Sequence, residues 1–241
     1  MLLSTPGIVL HTTPYGETSV VARVFTRQLG ARSYIIKGVR GLRSRVKQNL
    51  LQPLSCLDMV VYDNPRNDLN HVKELAARHP EVPASAADQA VAHALRFFMT
   101  EVLYKALREA EPMPDLFDYV EQNSMPDGHS TGPSTAEFPI VFLLAVAHHL
   151  GIEPLDNHTP REPLFDLQEG RFVATATETS LSPALSLLLH SYLPARHGAG
   201  TTTPPLNDRR SLIDALLAYF QLHLAGFHSF HSHEILHTVL R

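Results

Sequence analysis

The spacing of the hydrophobic residues changes once along the chain, near Pro80, and that change constrains the fold more than any other feature. Before it, apolar residues come in short runs or alternate at period two, and each run is closed by Gly, Pro, Asn or Asp. After it, they recur every three to four residues over longer stretches. Strands first and helices afterwards imply an α+β chain with a boundary at about residue 80, giving an N-terminal domain of 1–80 and a helical domain of 81–241.

The first part reads as five short strands. Gly7 to His11 is apolar, and Thr13-Pro14-Tyr15-Gly16 reads as the turn that follows. In Val20 to Arg27 the residues Val20, Ala22 and Val24 share one face, while Arg23, Phe25 and Arg27 share the other. Gln28-Leu29-Gly30 turns the chain into Arg32 to Val39. Leu50 to Tyr62 and Leu69 to Leu75 supply two more strands, separated by the turn residues of Asp63 to Asp68. Five short strands in so few residues suggest a small closed barrel, of which the OB-fold is one kind. Arginines beside an aromatic suit neutralising phosphates and stacking bases. The other reading of that face is Phe25 packed under a neighbouring loop, with the arginines as a solvated rim.

Beyond Pro80, Ala84 to Ala110 reads as a long helix, Asp115 to Gln122 as a short one, and Glu137 to Leu150 as the buried central helix, apolar on nearly every side and stopped at Gly151. Phe165 to Val173 reads as a hairpin turning at Glu169-Gly170 within a region of about 151–180. Leu181 to Tyr192, Asp208 to Leu222 and His231 to Leu240 complete the set. Asn123 to Thr135 and Gly198 to Pro205 read as polar connectors.

Charge is distributed as unevenly as hydrophobicity. The net charge of −4 argues weakly against a polyanionic partner, yet Thr18 to Leu57 contains eight basic residues and no acidic one. Up to Pro80 there are 11 basic and 5 acidic residues, and beyond it 9 basic and 19 acidic. Soluble surfaces ordinarily mix signs, so a one-sign run points to an anionic partner. The cations are Arg23, Arg27, Arg32, Lys37, Arg40, Arg43, Arg45 and Lys47.

Other chemistry is sparse. The single cysteine, Cys56, excludes an intramolecular disulfide framework and a Cys-rich zinc site, and fits a reducing compartment. The N-terminus lacks the pattern of a signal peptide, and the longest apolar run, Phe138 to Ala147, is about half a membrane span, so export and insertion are not expected. His233-Glu234-Ile235-Leu236-His237 matches H-E-x-x-H, in which two histidines one helical turn apart bind zinc and the glutamate is general base. Only four residues follow His237, so an upstream residue such as His223, His228 or His231 would have to be the third ligand. In a chain with 15 histidines the match reads as ordinary helix residues, with a zinc-dependent hydrolase as the alternative. No Gly-rich phosphate loop, G-x-S-x-G elbow or Cys/His pair accompanies it, and no cofactor is expected.

Thr5-Pro6-Gly7-Ile8-Val9-Leu10, Tyr15-Gly16-Glu17-Thr18-Ser19, Val24-Phe25-Thr26, Tyr34-Ile35-Ile36-Lys37-Gly38-Val39-Arg40, Leu51-Gln52-Pro53-Leu54 and Lys73-Glu74 resemble, in order and spacing, the N-terminal domain of the bacterial recombination mediator family RecO. Weaker matches run through Leu150-Gly151-Ile152-Glu153-Pro154, the Phe165 to Phe172 hairpin and Ser232 to Leu236. The resemblance implies an N-terminal OB-fold, a helical C-terminal domain, and a non-enzymatic role in recombinational DNA repair in the cytoplasm, at the nucleoid. It implies binding and annealing of single- and double-stranded DNA. It also implies work with RecR, and in many bacteria RecF, to load RecA onto DNA coated by single-strand-binding protein, whose acidic C-terminal tail would be a further partner. Many family members carry a four-cysteine zinc module near the hairpin. This chain lacks those cysteines, so its hairpin is expected to be held by packing alone.

The resemblance assigns DNA contact to Lys37 and Arg40, with Arg43, Arg45 and Lys47 following in a stretch that is usually basic. Arg23, Arg27 and Arg32 join the set from the charge count and strand phase. Arg96, Lys105 and Arg108 on the first long helix are candidates for protein docking. A scaffold whose barrel binds RNA is a third reading.

Overall fold

The computed structural model of the chain describes residues 1–39, 48–64, 66–78, 86–108, 111–124, 134–193 and 204–239, which fall into two compact units, Met1–Met125 and Pro126–Arg241. The first unit is built on five strands, β1 (Leu2–Tyr15), β2 (Ser19–Thr26), β3 (Gly30–Ile36), β4 (Cys56–Tyr62) and β5 (Leu69–Ala77). They close into a barrel in the order β1-β2-β3-β5-β4, with β3 and β5 parallel and the other pairs antiparallel. This is the OB-fold expected from the sequence. Its interior is filled by the inward half of each alternation, Val20, Ala22 and Val24 from β2, Tyr34 and Ile36 from β3, and Leu57, Met59 and Val61 from β4. Gly7 lies at the tightest point: a Cβ there would stand 2.6 Å from Val24 Cγ1 and 2.7 Å from Met59 Sδ.

Strand β1 is longer than expected, and the turn lies later. Thr13, Pro14 and Tyr15 remain in the ladder opposite Val21, Val20 and Ser19, and the chain reverses over residues 16–18, with Gly16 at φ +61. Pro14 is tolerated because pairing with β4 ends at Ile8, which leaves this stretch a neighbour on one side only. A bulge between Val9 and His11 bends the strand so that its first half serves β4 and its second half β2. The expected strand from Leu50 is also shorter. A 3-10 turn (Gln48–Leu51) and Leu54 at φ 59 precede β4, and the Leu54 and Ser55 backbone hydrogen-bonds to Val9. Pro53 and the left-handed Leu54 are incompatible with a continuous strand.

Two helices complete this unit, α1 (Ala86–Ala106) and α2 (Pro114–Asn123). Phe25, fully buried on the outer side of β2, packs its ring against Phe117 of α2 at 5.6 Å, so part of the outer β1–β2 face is covered by helix. The covering segment is a helix distant in sequence rather than a neighbouring loop. The unit therefore extends past residue 80 to take in both helices.

The second unit has at its centre α3 (Phe138–His149), whose Ile140, Phe142, Leu143 and Val146 are fully buried. Around it lie the hairpin β6 (Leu164–Asp166) and β7 (Arg171–Val173), α4 (Pro183–Tyr192), α5 (Leu206–His223) and α6 (Ser232–Val239). Ser182 caps α4, accepting from the Leu185 amide at 3.3 Å. The buried Glu137 carboxylate accepts from Tyr192 Oη at 2.9 Å and Ser134 Oγ at 2.7 Å, tying the start of α3 to the end of α4.

The hairpin region is not held by packing alone, as the missing cysteines suggested. Phe165 and Phe172 do pack edge to face at 5.1 Å. Beside them the buried Asp166 carboxylate accepts from the amides of Gln168 (2.9 Å) and Glu169 (2.8 Å) and from the hydroxyls of Thr177, Thr179 (3.0 Å) and Ser180 (3.3 Å). Asn157 bridges on the other strand, donating to Phe172 O at 2.9 Å and accepting from Phe172 N at 2.8 Å. Two polar hubs fix the crossings where packing gives no directionality.

Candidate nucleic-acid interface

Of the eight cations, four lie among the described residues, and three of those four are engaged within the barrel unit. Lys37, just past β3, is exposed, and among the described residues it makes no ion pair. Arg40, Arg43, Arg45 and Lys47 lie outside the described residues. The three arginines drawn from the strand phase are engaged by other parts of the barrel unit.

Arg23 lies on the outer face of β2 and donates from Nη2 to the carbonyls of Leu107 (3.3 Å) and Arg108 (2.9 Å), just past the end of α1. A guanidinium there satisfies carbonyls that the helix leaves unpaired. Burial holds its pKa below the ordinary arginine value, opposed by the nearby Tyr104 and Tyr34. Arg27 grips Asp118 of α2 with two bonds, Nε to Oδ1 at 2.7 Å and Nη2 to Oδ2 at 2.8 Å. That pairing raises the Arg27 pKa and lowers that of Asp118. Arg32 donates to Leu29 O at 3.1 Å and to Asp63 Oδ1 at 2.9 Å. Asp63 in turn binds the Met1 backbone, so Arg32 fastens one end of the barrel.

The alternation on β1 and β2 places a row that charge counting does not reveal. His11 pairs across from Arg23, Thr13 from Val21 and Tyr15 from Ser19, all on the outer face. Lys37, one residue beyond the Ile36–Val20 pair and just past β3, continues the outward phase of that strand. The His11 ring packs on that of Tyr104 of α1 at 5.0 Å. Nothing in the local sequence could have indicated this contact, because it depends on where α1 docks. Of the docking candidates expected on the first long helix, Lys105 stands 3.7 Å from Glu101, Arg96 is half-buried, and Arg108 is exposed just past the end of α1.

The H-E-x-x-H residues sit on α6, with the His233 and His237 rings edge to face at 5.7 Å. The neighbourhood is unsuited to a metal cation. Arg210 donates to the His237 carbonyl, and His237 Nε2 is 3.7 Å from Asp214 Oδ1. Burial pushes the His237 pKa down, Asp214 opposes this, and His233 and Arg210 add to the lowering. Of the upstream histidines, His223 points Nε2 at Leu167 O, 2.8 Å away. Among the described residues no group of three His, Cys, Asp or Glu side chains could hold a metal. Cys56 is buried beside Ser124, and burial pushes its thiol pKa up, which suits an inert core residue. Among the described residues no helix is long and apolar enough to cross a membrane.

The family model described as "Recombination protein O N terminal" matches residues 1–80. A Bacteroides fragilis protein named DNA repair protein RecO is 32% identical over 188 residues, covering 77% of this chain and 73% of its own length. The chain belongs to the RecO family. Other members reach further along it: the protein of that name from Phocaeicola vulgatus is 28% identical over 94% of each chain, and that from Christiangramia forsetii 27% identical over 99% of each. Both compact units therefore lie within the family alignment, and the relatives carry the name of DNA repair proteins.

Proposed function

We propose that this RecO-family chain is a non-enzymatic recombination mediator that binds DNA through its barrel, anneals complementary strands and helps load RecA onto DNA coated by single-strand-binding protein. The observation that carries this reading is the exposed Lys37 at the head of a one-sign run, Arg40, Arg43, Arg45 and Lys47, on an OB-fold barrel of a DNA-repair family. Clustered lysines and arginines neutralise phosphates and release counterions, which gives tight, largely sequence-independent binding that weakens with salt. Two strands held by such cations repel each other less, a physical route to annealing that needs no hydrolysis. Arg23, Arg27 and Arg32 serve chiefly to join strands, turns and helices, and we remove them from the principal contact set. RecR, RecF and the acidic tail of single-strand-binding protein are the proposed protein partners, with the nucleoid as the place of action.

Reversing Lys37, Arg40, Arg43 and Lys47 to Glu is expected to abolish binding of a labelled oligonucleotide in fluorescence anisotropy while leaving the circular dichroism spectrum unchanged. An unaltered affinity and salt dependence in this variant would overturn the assignment.

A further inference from the structure

The geometry points to an aromatic track for unstacked bases across the open half of the outer barrel face and onto α1, an inference that rests on the DNA-binding reading above. Barrels of this kind commonly receive oligonucleotides on the face around strands 2 and 3. Here one end of that face is taken, because Phe25 lies under Phe117 and Arg27 is held by Asp118. The other end carries exposed rings in sequence. Tyr15 is 51% exposed at the β1–β2 turn; His11, exposed, lies on the same face about 13 Å along the strand. Tyr104, 44% exposed, packs on His11, and Phe97, 52% exposed, follows two helical turns away on the same side of α1.

Exposed rings that succeed one another from β1 onto α1 suit successive bases of a single strand, because every base offers a π-face. The charges beside them agree. Lys37 stands at the Tyr15 end, and the Arg23 guanidinium lies between β2 and the end of α1. Glu17, in the turn, opposes them at the rim. The occupant is single-stranded DNA, with a phosphate at Lys37 and bases on Tyr15 and Tyr104.

The test compares a 15-nucleotide oligothymidylate, the same length of abasic strand, and a duplex, each bound to the full chain and to Tyr15→Ala, Tyr104→Ala and Tyr104→Phe variants with melting temperatures checked. Each alanine variant is expected to lose about five-fold or more in affinity for oligothymidylate. Abasic and duplex binding should hold steady, and Tyr104→Phe should behave as wild type. Equal losses on the abasic strand, or no loss on oligothymidylate, would overturn the track while leaving the phosphate contacts standing. Failure of the unaltered chain to bind any of the three would instead remove the DNA-binding reading itself.

Discussion

At the scale of single residues, the arginines of β2 and β3 show how far local pattern carries. The alternation correctly separates Val20, Ala22 and Val24, which fill the barrel, from Arg23 and Arg27, which face outward. Outward does not mean available. Arg27 meets Asp118, and Arg23 meets the carbonyls beyond α1, partners 91 and 84 positions away. Because the Arg27–Asp118 pair is solvent-exposed, it is worth little to stability. Replacing Arg27 by Met should therefore leave single-strand affinity unchanged and lower the melting temperature only slightly. A ten-fold loss of affinity in the same anisotropy assay would return Arg27 to the DNA contact set.

At the scale of elements, the hairpin β6–β7 depends on one carboxylate. Burial alone would raise the Asp166 pKa, but hydrogen bonds from the Thr177 hydroxyl, the Glu169 amide, the Thr179 hydroxyl and the Gln168 amide outweigh it and hold the pKa below the ordinary carboxylate value. A carboxyl with a folded pKa below its unfolded one contributes stability that is present above the unfolded value, and is lost as pH falls through the folded value. Asp166→Ala should cost about 1–2 kcal/mol at neutral pH, since several part-buried donors lose a charged acceptor. The gap in melting temperature between wild type and variant should shrink below about pH 4. A gap independent of pH would show that the carboxylate charge is not what holds the hairpin.

At the scale of the whole molecule, the division of charge depends on where the boundary is drawn. Cut at Pro80, the chain separates into 11 basic with 5 acidic and 9 basic with 19 acidic residues. Cut where the compact units divide, Met1–Met125 holds 14 basic and 13 acidic residues, and Pro126–Arg241 holds 6 and 11. Two of the three acids of α2 are spent on the barrel: Asp118 on Arg27, and Glu121 on Arg78 at 2.5 Å. The barrel unit is nearly neutral overall, so the proposed DNA contact rests on the one-sign run from Lys37 to Lys47. Five cations on a single strand give a logarithmic salt slope of about −3.5. A slope near −5.6 would mean that all eight contact phosphate.

Sequence by itself determined the strand and helix content, the barrel interior, the buried α3 and the family, because those depend on short-range periodicity and on residues in a fixed order. Ile140, Phe142 and Val146 announce a buried helix wherever it packs. Tertiary structure alone decided which outward side chains are spent and which remain open. That choice follows from where α1 and α2 dock, covering Phe25 and engaging Arg23 and Arg27 while leaving Tyr15 and Tyr104 exposed. Docking is set by the summed fit of surfaces distant in sequence, which no window of neighbouring residues contains.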